Sequence, residues 1–116
     1  MQKMPVRCPV EVTLQIVGGK WKPLILYYLL QSTRRYNELK RMLPAVTPQM
    51  LTLQLRELER DAIVHRHVYA EVPPKVECSL TDLGHSLEPI LLALLAWGEG
   101  YLQTVEPTVG QTVAQH

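Results

Sequence analysis

The chain has few cysteines, no phenylalanine and no long apolar segment. Its longest apolar run, ILLALLAW, has eight residues, whereas a membrane-spanning helix needs about 20. The opening MQKMPVRCPVEV lacks the apolar run of a secretion signal, and two cysteines cannot build a disulfide framework. We therefore expect a protein of the reducing cytoplasm.

Motifs for catalysis and metal binding are also missing. The 116 residues contain no glycine-rich phosphate loop and no paired carboxylates. His65 and His67 share one face of a strand pattern, but His85 and His116 lie apart, and no cysteine or carboxylate stands at metal-ligand spacing. We expect no enzymatic activity, no cofactor and no metal. An enzyme that pairs Cys8 with a histidine is the weakest alternative.

Positive charge is absent from the last third of the chain. All twelve Lys and Arg residues lie between Lys3 and Lys75, together with six acids, so this region carries a formal charge of +6. The remaining residues have five acids and no cation, which gives −5. Such a division is typical of a surface that binds a polyanion, joined to a surface for assembly or solvent. Chance segregation in a small protein is the alternative.

The first third of the chain predicts two helices followed by a polar segment. Pro9 opens a helix with Cys8 as its cap, and Gly18-Gly19 ends it. The following WKPLILYYLLQ is apolar on nearly every side and predicts a central core helix. Residues 32–35 form a polar turn or a short strand.

A helix-turn-helix is predicted next. Residues 36–43 form a short helix that Pro44 ends, and Thr47 caps another helix whose first residue is Pro48. This second helix extends to about Asp61. Two helices joined by so short a turn are typical of a helix-turn-helix.

A β-hairpin and a long helix complete the pattern. IVHRHVY and KVECSL alternate in polarity around the turn AEVPP, which predicts two strands. A last helix runs from Thr81 to about Tyr101 and is kinked or restarted near Pro89. Because ILLALLAW is apolar on every side, more than one small core can cover, we expect this helix to contact a second copy of the chain.

The helix that begins at Pro48 has two different faces. At about 100° per residue, Leu51, Leu55, Leu58 and Ala62 form a core stripe. The other side carries the candidate base-reading residues Gln49, Met50, Thr52, Leu53 and Arg56. Gln suits adenine, Arg suits guanine, and Leu or Thr can contact a thymine methyl group. A solvated helix face is the alternative reading of this pattern.

Cations flank this helix in the sequence and are expected to contact DNA phosphates, which would supply most of the affinity and make it salt-sensitive. They are Arg34, Arg35, Lys40, Arg41, Arg66 and Lys75.

Three stretches of the chain, in this order and spacing, resemble one protein family. They are CPVEVTLQIVGGKWKPLILYYLL, RYNELKRMLPAVTPQMLTLQLRELERDAIVHR and YAEVPPKVECSLTDLGHSLEPILLALLAWG, and they extend from about Cys8 to Tyr101. Together they resemble the HxlR family of bacterial winged helix-turn-helix transcriptional regulators. The resemblance implies a homodimer that binds a short palindromic operator in double-stranded DNA and controls neighbouring genes, which we expect it to repress.

The resemblance also implies a layout for the chain. It places the recognition helix on residues 48–61 and the wing on the turn at residues 72–75. The expected protein is mainly α with a small β-hairpin wing, a winged helix-turn-helix that forms a homodimer through its terminal helices. Its DNA-binding and dimerisation domain spans residues 8–103, between a flexible N-terminus at 1–7 and a disordered tail at 104–116. Leu53 and Cys78 depart from the family, where a polar residue and an aromatic are usual. The operator sequence therefore cannot be transferred, and any sensing scheme that involves Cys78 would be particular to this chain.

Cys8 is the one residue with expected chemistry. It lies beside Arg7 at a helix N-terminus, and both the cation and the aligned amides favour its thiolate. Some HxlR members use the cysteine in this position to sense oxidants or electrophiles, and the resemblance allows the same redox-sensing role here. The alternative is a small apolar contact in the dimer. Cys78 is expected in the core.

The expected dimer interface combines residues of the first and last helices: Val10, Leu14, Val17, Leu91, Leu94, Leu95 and Trp97. An intramolecular last helix is the alternative. Two other functions remain open, a winged-helix module that binds only protein and a regulator induced by a non-covalent small ligand.

Overall fold

The computed structural model describes residues 7–105, which form six helices and three strands. In chain order these are α1 (Pro9–Val17), α2 (Trp21–Gln31), β1 (Arg34–Arg35), α3 (Tyr36–Met42), α4 (Pro48–Arg60), β2 (Val64–Tyr69), β3 (Lys75–Leu80), α5 (Asp82–His85) and α6 (Glu88–Thr104). The chain divides into two compact units, Met1–His85 and Ser86–His116. Residues 1–6 of the predicted flexible N-terminus and residues 106–116 of the predicted tail lie outside the described residues.

The core of the first unit forms around α2, as its uniformly apolar sequence predicted. Ile25, Leu26 and Leu29 are buried, and α2 contacts both α4 and β3. From α4, the buried side chains are Leu51, Leu55 and Leu58, spaced by one helical turn. Burial of this stripe determines which face of α4 points outward.

Local signals determine where α4 begins and ends. The Thr47 hydroxyl accepts a hydrogen bond from the Met50 amide at 3.1 Å, so one of the free amides of the first turn is satisfied. The helix ends at Arg60, and Ala62 then adopts a left-handed φ of 64°. Ala62 is therefore exposed, and its assignment to the core stripe of the helix was wrong because the chain has already turned towards β2.

A three-stranded antiparallel sheet follows the predicted hairpin, in the order β1-β3-β2. The two residues of β1 pair with Glu77 and Cys78 of β3, so the sheet is joined to the start of α3. Cys78 and Leu80 are buried on one face of β3, as the alternation predicted. The predicted helix-turn-helix and hairpin are both confirmed.

A short helix links the sheet to the second unit. The Thr81 hydroxyl donates to the Ala62 carbonyl oxygen at 2.6 Å and accepts from the Gly84 amide at 3.0 Å. A Cβ atom at Gly84 would lie 2.3 Å from the Ile63 carbonyl oxygen, so this close approach requires glycine. After α5 the helix restarts at Glu88, with Pro89 in its first turn, as predicted.

The described part of the second unit contains α6, which exposes many large apolar side chains. The exposed residues are Ile90, Leu92, Leu94, Leu95, Trp97 and Tyr101, together with Val105 just after the helix, whereas Leu91 is buried. The Trp97 and Tyr101 rings stack with their centroids 5.4 Å apart. Within residues 7–105, no helix is both long and apolar enough to cross a bilayer.

Candidate nucleic-acid interface

The outward face of α4 carries all five candidate base-reading residues. Gln49, Met50, Thr52, Leu53 and Arg56 are exposed, and nearly half of the Leu53 side chain, 48%, is open to solvent. Opposite them, the buried leucine stripe holds the helix to the core. The face predicted to read bases therefore points away from the core and into solvent.

An ion pair between buried Lys22 and partly exposed Glu57 joins α2 to α4. Lys22 is only 7% exposed, and its Nζ lies 2.7 Å from the Glu57 Oε1 atom. The hydrogen bond and positive charge from Lys22 lower the pKa of Glu57 below its ordinary value. Sequence reasoning missed this pair, although a lysine within the apolar WKPLIL segment signals that a partner is needed.

The hydroxyl of Tyr36 joins α3 to the first turns of α4. It lies 3.2 Å from the Pro48 carbonyl oxygen and 3.2 Å from the Thr52 hydroxyl. These groups border a cleft of about 250 Å³ lined by Tyr36, Thr52, Leu55, Arg56, Arg66 and Val76. Tyr36 was not among the predicted site residues, because nothing in the sequence indicates which side chain bridges two helices.

The cations of the β1–α3 segment differ in how free their charges are. Arg35, Lys40 and Arg41 are exposed and form no ion pair with any residue between 7 and 105. Arg34 is half-buried, and its guanidinium donates to the Tyr28 carbonyl oxygen at 3.3 Å and to the Gln31 side chain at 2.8 Å. Arg34 is therefore already bound to the end of α2.

The two wing cations have intramolecular partners. The Arg66 Nε lies 3.4 Å from Glu59 Oε1. The Lys75 Nζ lies 3.7 Å from Glu77 Oε2 and 4.4 Å from the centre of the Tyr69 ring. The Tyr69 hydroxyl also donates to Glu77 at 2.9 Å, and this bond raises the pKa of Tyr69.

A second cleft separates α3 from the wing turn. It has a volume of about 360 Å³ and is lined by Arg35, Tyr36, Asn37, Glu71, Pro73, Pro74, Lys75 and Val76. Helix α3, helix α4 and the wing thus border one surface, which brings together cations that are separated in the sequence.

The two cysteines occupy opposite environments. Cys8 is exposed at the N-terminus of α1, where the nearby backbone N–H groups of Glu11 and Val10 favour the thiolate and lower the pKa of its thiol. Arg7, the expected contributor, instead donates its guanidinium hydrogen bond to the Gln15 side chain. Burial raises the pKa of Cys78 to about 11.

The histidine pair lies on the outer face of the wing. His65 and His67 are exposed on β2, with ring centroids 6.2 Å apart, and the His67 ring contacts Tyr69 edge-on at 4.2 Å. In the described part of the chain, no three His, Cys, Asp or Glu residues are grouped for metal binding.

The candidate dimer residues divide into exposed and buried ones. Val10 and Leu14 of α1 are exposed, whereas Val17 is buried. On α6, Leu94, Leu95 and Trp97 are exposed, and Leu91 is buried. Of the seven candidates, five therefore lie at the surface.

Comparison with known proteins finds relatives over most of the chain. Residues 16–106 match a family model described as HxlR-like helix-turn-helix. The HTH-type transcriptional regulator YdeP of Bacillus subtilis is 54% identical over 99 residues, which cover 85% of this chain and 77% of that protein.

Solved structures of regulators show the same fold. The reduced form of the redox regulator HypR has a TM-score of 0.82 at 53% identity, covering 86% of this chain and 99% of that one. Its oxidised form has a TM-score of 0.77 at 57% identity, covering 80% and 96%. The reduced form of the transcriptional regulator YodB from B. subtilis has a TM-score of 0.71 at 33% identity, covering 88% and 98%.

Proposed function

Because the chain belongs to the HxlR-like helix-turn-helix family of DNA-binding transcriptional regulators, we propose that it is a homodimeric repressor that binds a palindromic operator near the genes it controls. Regulators of this family are not enzymes. The observation that carries the proposal is the exposed polar and apolar face of α4, opposite its buried leucine stripe. A surface helix of this kind fits the major groove of DNA.

Base recognition is assigned to the exposed residues of α4, namely Gln49, Met50, Thr52, Leu53 and Arg56. Arg56 forms no ion pair with the described residues, so its guanidinium is available for the two acceptors of guanine. Gln49, in the first turn, can pair with adenine. Exposed Leu53 suits a thymine methyl group better than it suits water.

Phosphate binding is assigned first to Arg35, Lys40 and Arg41, the three phosphate candidates that form no ion pair with residues 7–105. Arg66 and Lys75 would have to exchange an intramolecular carboxylate for a phosphate, which reduces their net contribution. Arg34 contributes least, because its guanidinium already holds the end of α2.

Dimerisation is required by the size of the reading surface. One helix in one groove reads too few base pairs for a genomic site, and two half-sites supply the remainder. The exposed apolar side chains of α6, with Val10 and Leu14 of α1, are the proposed interface. Gel filtration at micromolar concentration should give a dimer, and Leu94→Glu should give a monomer with weakened operator binding.

Regulation by oxidants or electrophiles is assigned to Cys8. Its lowered pKa and exposure make it the more reactive thiol, and the similar protein HypR is a redox regulator by name. Treatment with diamide or a quinone should release wild-type protein from the operator. Cys8→Ser should remain bound, and Cys78→Ser, as matched control, should respond like the wild type. Release that persists in Cys8→Ser would exclude this assignment.

A mobility-shift assay on the DNA upstream of its own gene tests the proposal. Arg56→Ala should weaken binding by about 1–3 kcal/mol and relax the preference at one base pair. Arg60→Ala is the matched control, because Arg60 lies one turn further along α4 and is already paired with Asp61 at 3.3 Å. If Arg56→Ala weakens every operator variant equally, Arg56 does not read a base.

A further inference from the structure

The Tyr36 hydroxyl makes two hydrogen bonds between α3 and α4, and together they determine which group is the donor in each. The Tyr36 hydroxyl lies 3.2 Å from both the Pro48 carbonyl oxygen and the Thr52 hydroxyl. A carbonyl oxygen can only accept, and a tyrosine hydroxyl has one proton to donate. Both contacts are satisfied only when Tyr36 donates to Pro48 and the Thr52 hydroxyl donates to Tyr36.

This arrangement changes what Thr52 can offer to DNA. A free threonine hydroxyl can donate or accept, so it pairs with many base edges and discriminates weakly. When its only proton is directed to Tyr36, Thr52 cannot donate to the acceptors of guanine or to the O4 atom of thymine. Thr52 as a residue is exposed on α4, and its methyl group takes no part in these hydrogen bonds, so a methyl contact with a base is the interaction left to it.

The surroundings of Thr52 favour an apolar contact. Beside Arg56 and Arg66, the cleft that it borders has the apolar side chains of Leu55 and Val76. Leu53, next to Thr52 in the chain, exposes further apolar surface. The only base-edge group in the major groove that is itself apolar is the thymine C5-methyl.

We propose that Tyr36 is a positioning residue that holds the Thr52 hydroxyl, so that Thr52 reads one thymine per half-site through its methyl group. The inference rests on the proposed function, since it concerns the same recognition helix. It adds Tyr36, which lies outside the base-reading set, as a determinant of operator choice.

The test uses the full-length protein and operator duplexes in which single thymines are replaced by deoxyuridine, which removes only the methyl group. Loss of one buried methyl contact should weaken wild-type binding about fourfold per half-site, at one symmetric pair of positions. Thr52→Ser keeps the hydroxyl but lacks the methyl, so it should bind the thymine and uracil operators equally at that pair.

Tyr36→Phe provides the second arm, because it frees the Thr52 hydroxyl and retains the ring. This variant should accept guanine at the same position more readily, because the freed Thr52 hydroxyl can donate to the guanine acceptors, while the preference at the Arg56 position stays unchanged. A variant that had merely lost structure would bind all operator variants more weakly and to the same extent, and its thermal unfolding curve would shift.

The outcomes separate the two proposals. If wild-type protein selects no DNA sequence, the proposed function fails and this inference fails with it. If it selects an operator but no thymine shows a Thr52-dependent response to methyl removal, only the role of Thr52 and Tyr36 is refuted. The same holds if Tyr36→Phe leaves every base preference unchanged.

Discussion

Salt dependence of operator binding offers a quantitative test of which cations contact phosphate. Each phosphate neutralised on duplex DNA contributes about −0.9 to the slope of log Kobs against log salt. If Arg35, Lys40 and Arg41 are the contacts in each of two subunits, the slope should be about −5, so affinity falls about 1,000-fold between 50 and 200 mM salt. If all six candidate cations engaged, the slope would be about −11.

Two substitutions distinguish these cases. Lys40→Ala removes an exposed cation that forms no ion pair with residues 7–105. In the proposed dimer it should reduce the slope by about 2. Arg34→Ala should leave the slope unchanged within error, because the Arg34 guanidinium already donates to Tyr28 and Gln31. Fluorescence anisotropy with a labelled operator at five or six salt concentrations measures both. Equal reductions in the two variants would show that the intramolecular bonds of Arg34 do not persist on DNA and would refute the reasoning.

Three further predictions concern thiol reactivity, stability and pH. Because backbone amides lower the pKa of Cys8, its alkylation by iodoacetamide should have a lower pH midpoint in the folded protein than in the urea-unfolded chain. Buried Cys78 should react only after unfolding. Mass spectrometry measures both reactions. Gly84→Ala should destabilise the fold by about 1–3 kcal/mol in urea titrations, since its Cβ would lie 2.3 Å from a carbonyl oxygen; unchanged stability would contradict that geometry. Lys22 lowers the pKa of Glu57, so the pair stabilises the fold above the unfolded-state pKa of about 4.3 and this contribution is lost as pH falls through the folded-state pKa. The difference in unfolding free energy between wild type and Glu57→Gln should therefore shrink on acidification, and a constant difference would argue against the ion pair.

The boundaries of the helices were predictable because short-range chemistry sets them. Pro9 and Pro48 stand in the first turns of α1 and α4, and Thr47 caps α4 through a partner three residues away. The exposed face of α4 was equally predictable, since the spacing of the buried leucines determines it. The end of α4 was also predicted to within one residue, but the left-handed conformation of Ala62 was not, because it has no residue signature.

Contacts between distant segments could not be predicted in the same way. Tyr36 and Thr52 are 16 positions apart, and Lys22 meets Glu57 only after α2 packs against α4. Nothing in the sequence indicates that the guanidinium of Arg34 has an intramolecular partner while that of its neighbour Arg35 is exposed. Its hydrogen bonds to the end of α2 depend on how the chain turns from that helix into β1.

Selection of binding sites from a random duplex library is the most direct measurement of the central claim, that the exposed face of α4 reads DNA. Wild-type protein should enrich an inverted repeat whose half-sites lie about one helical turn apart, and Arg56→Ala should enrich the same repeat with one position per half-site relaxed. Enrichment of no sequence by the wild-type protein, at low as well as moderate salt, would contradict the account.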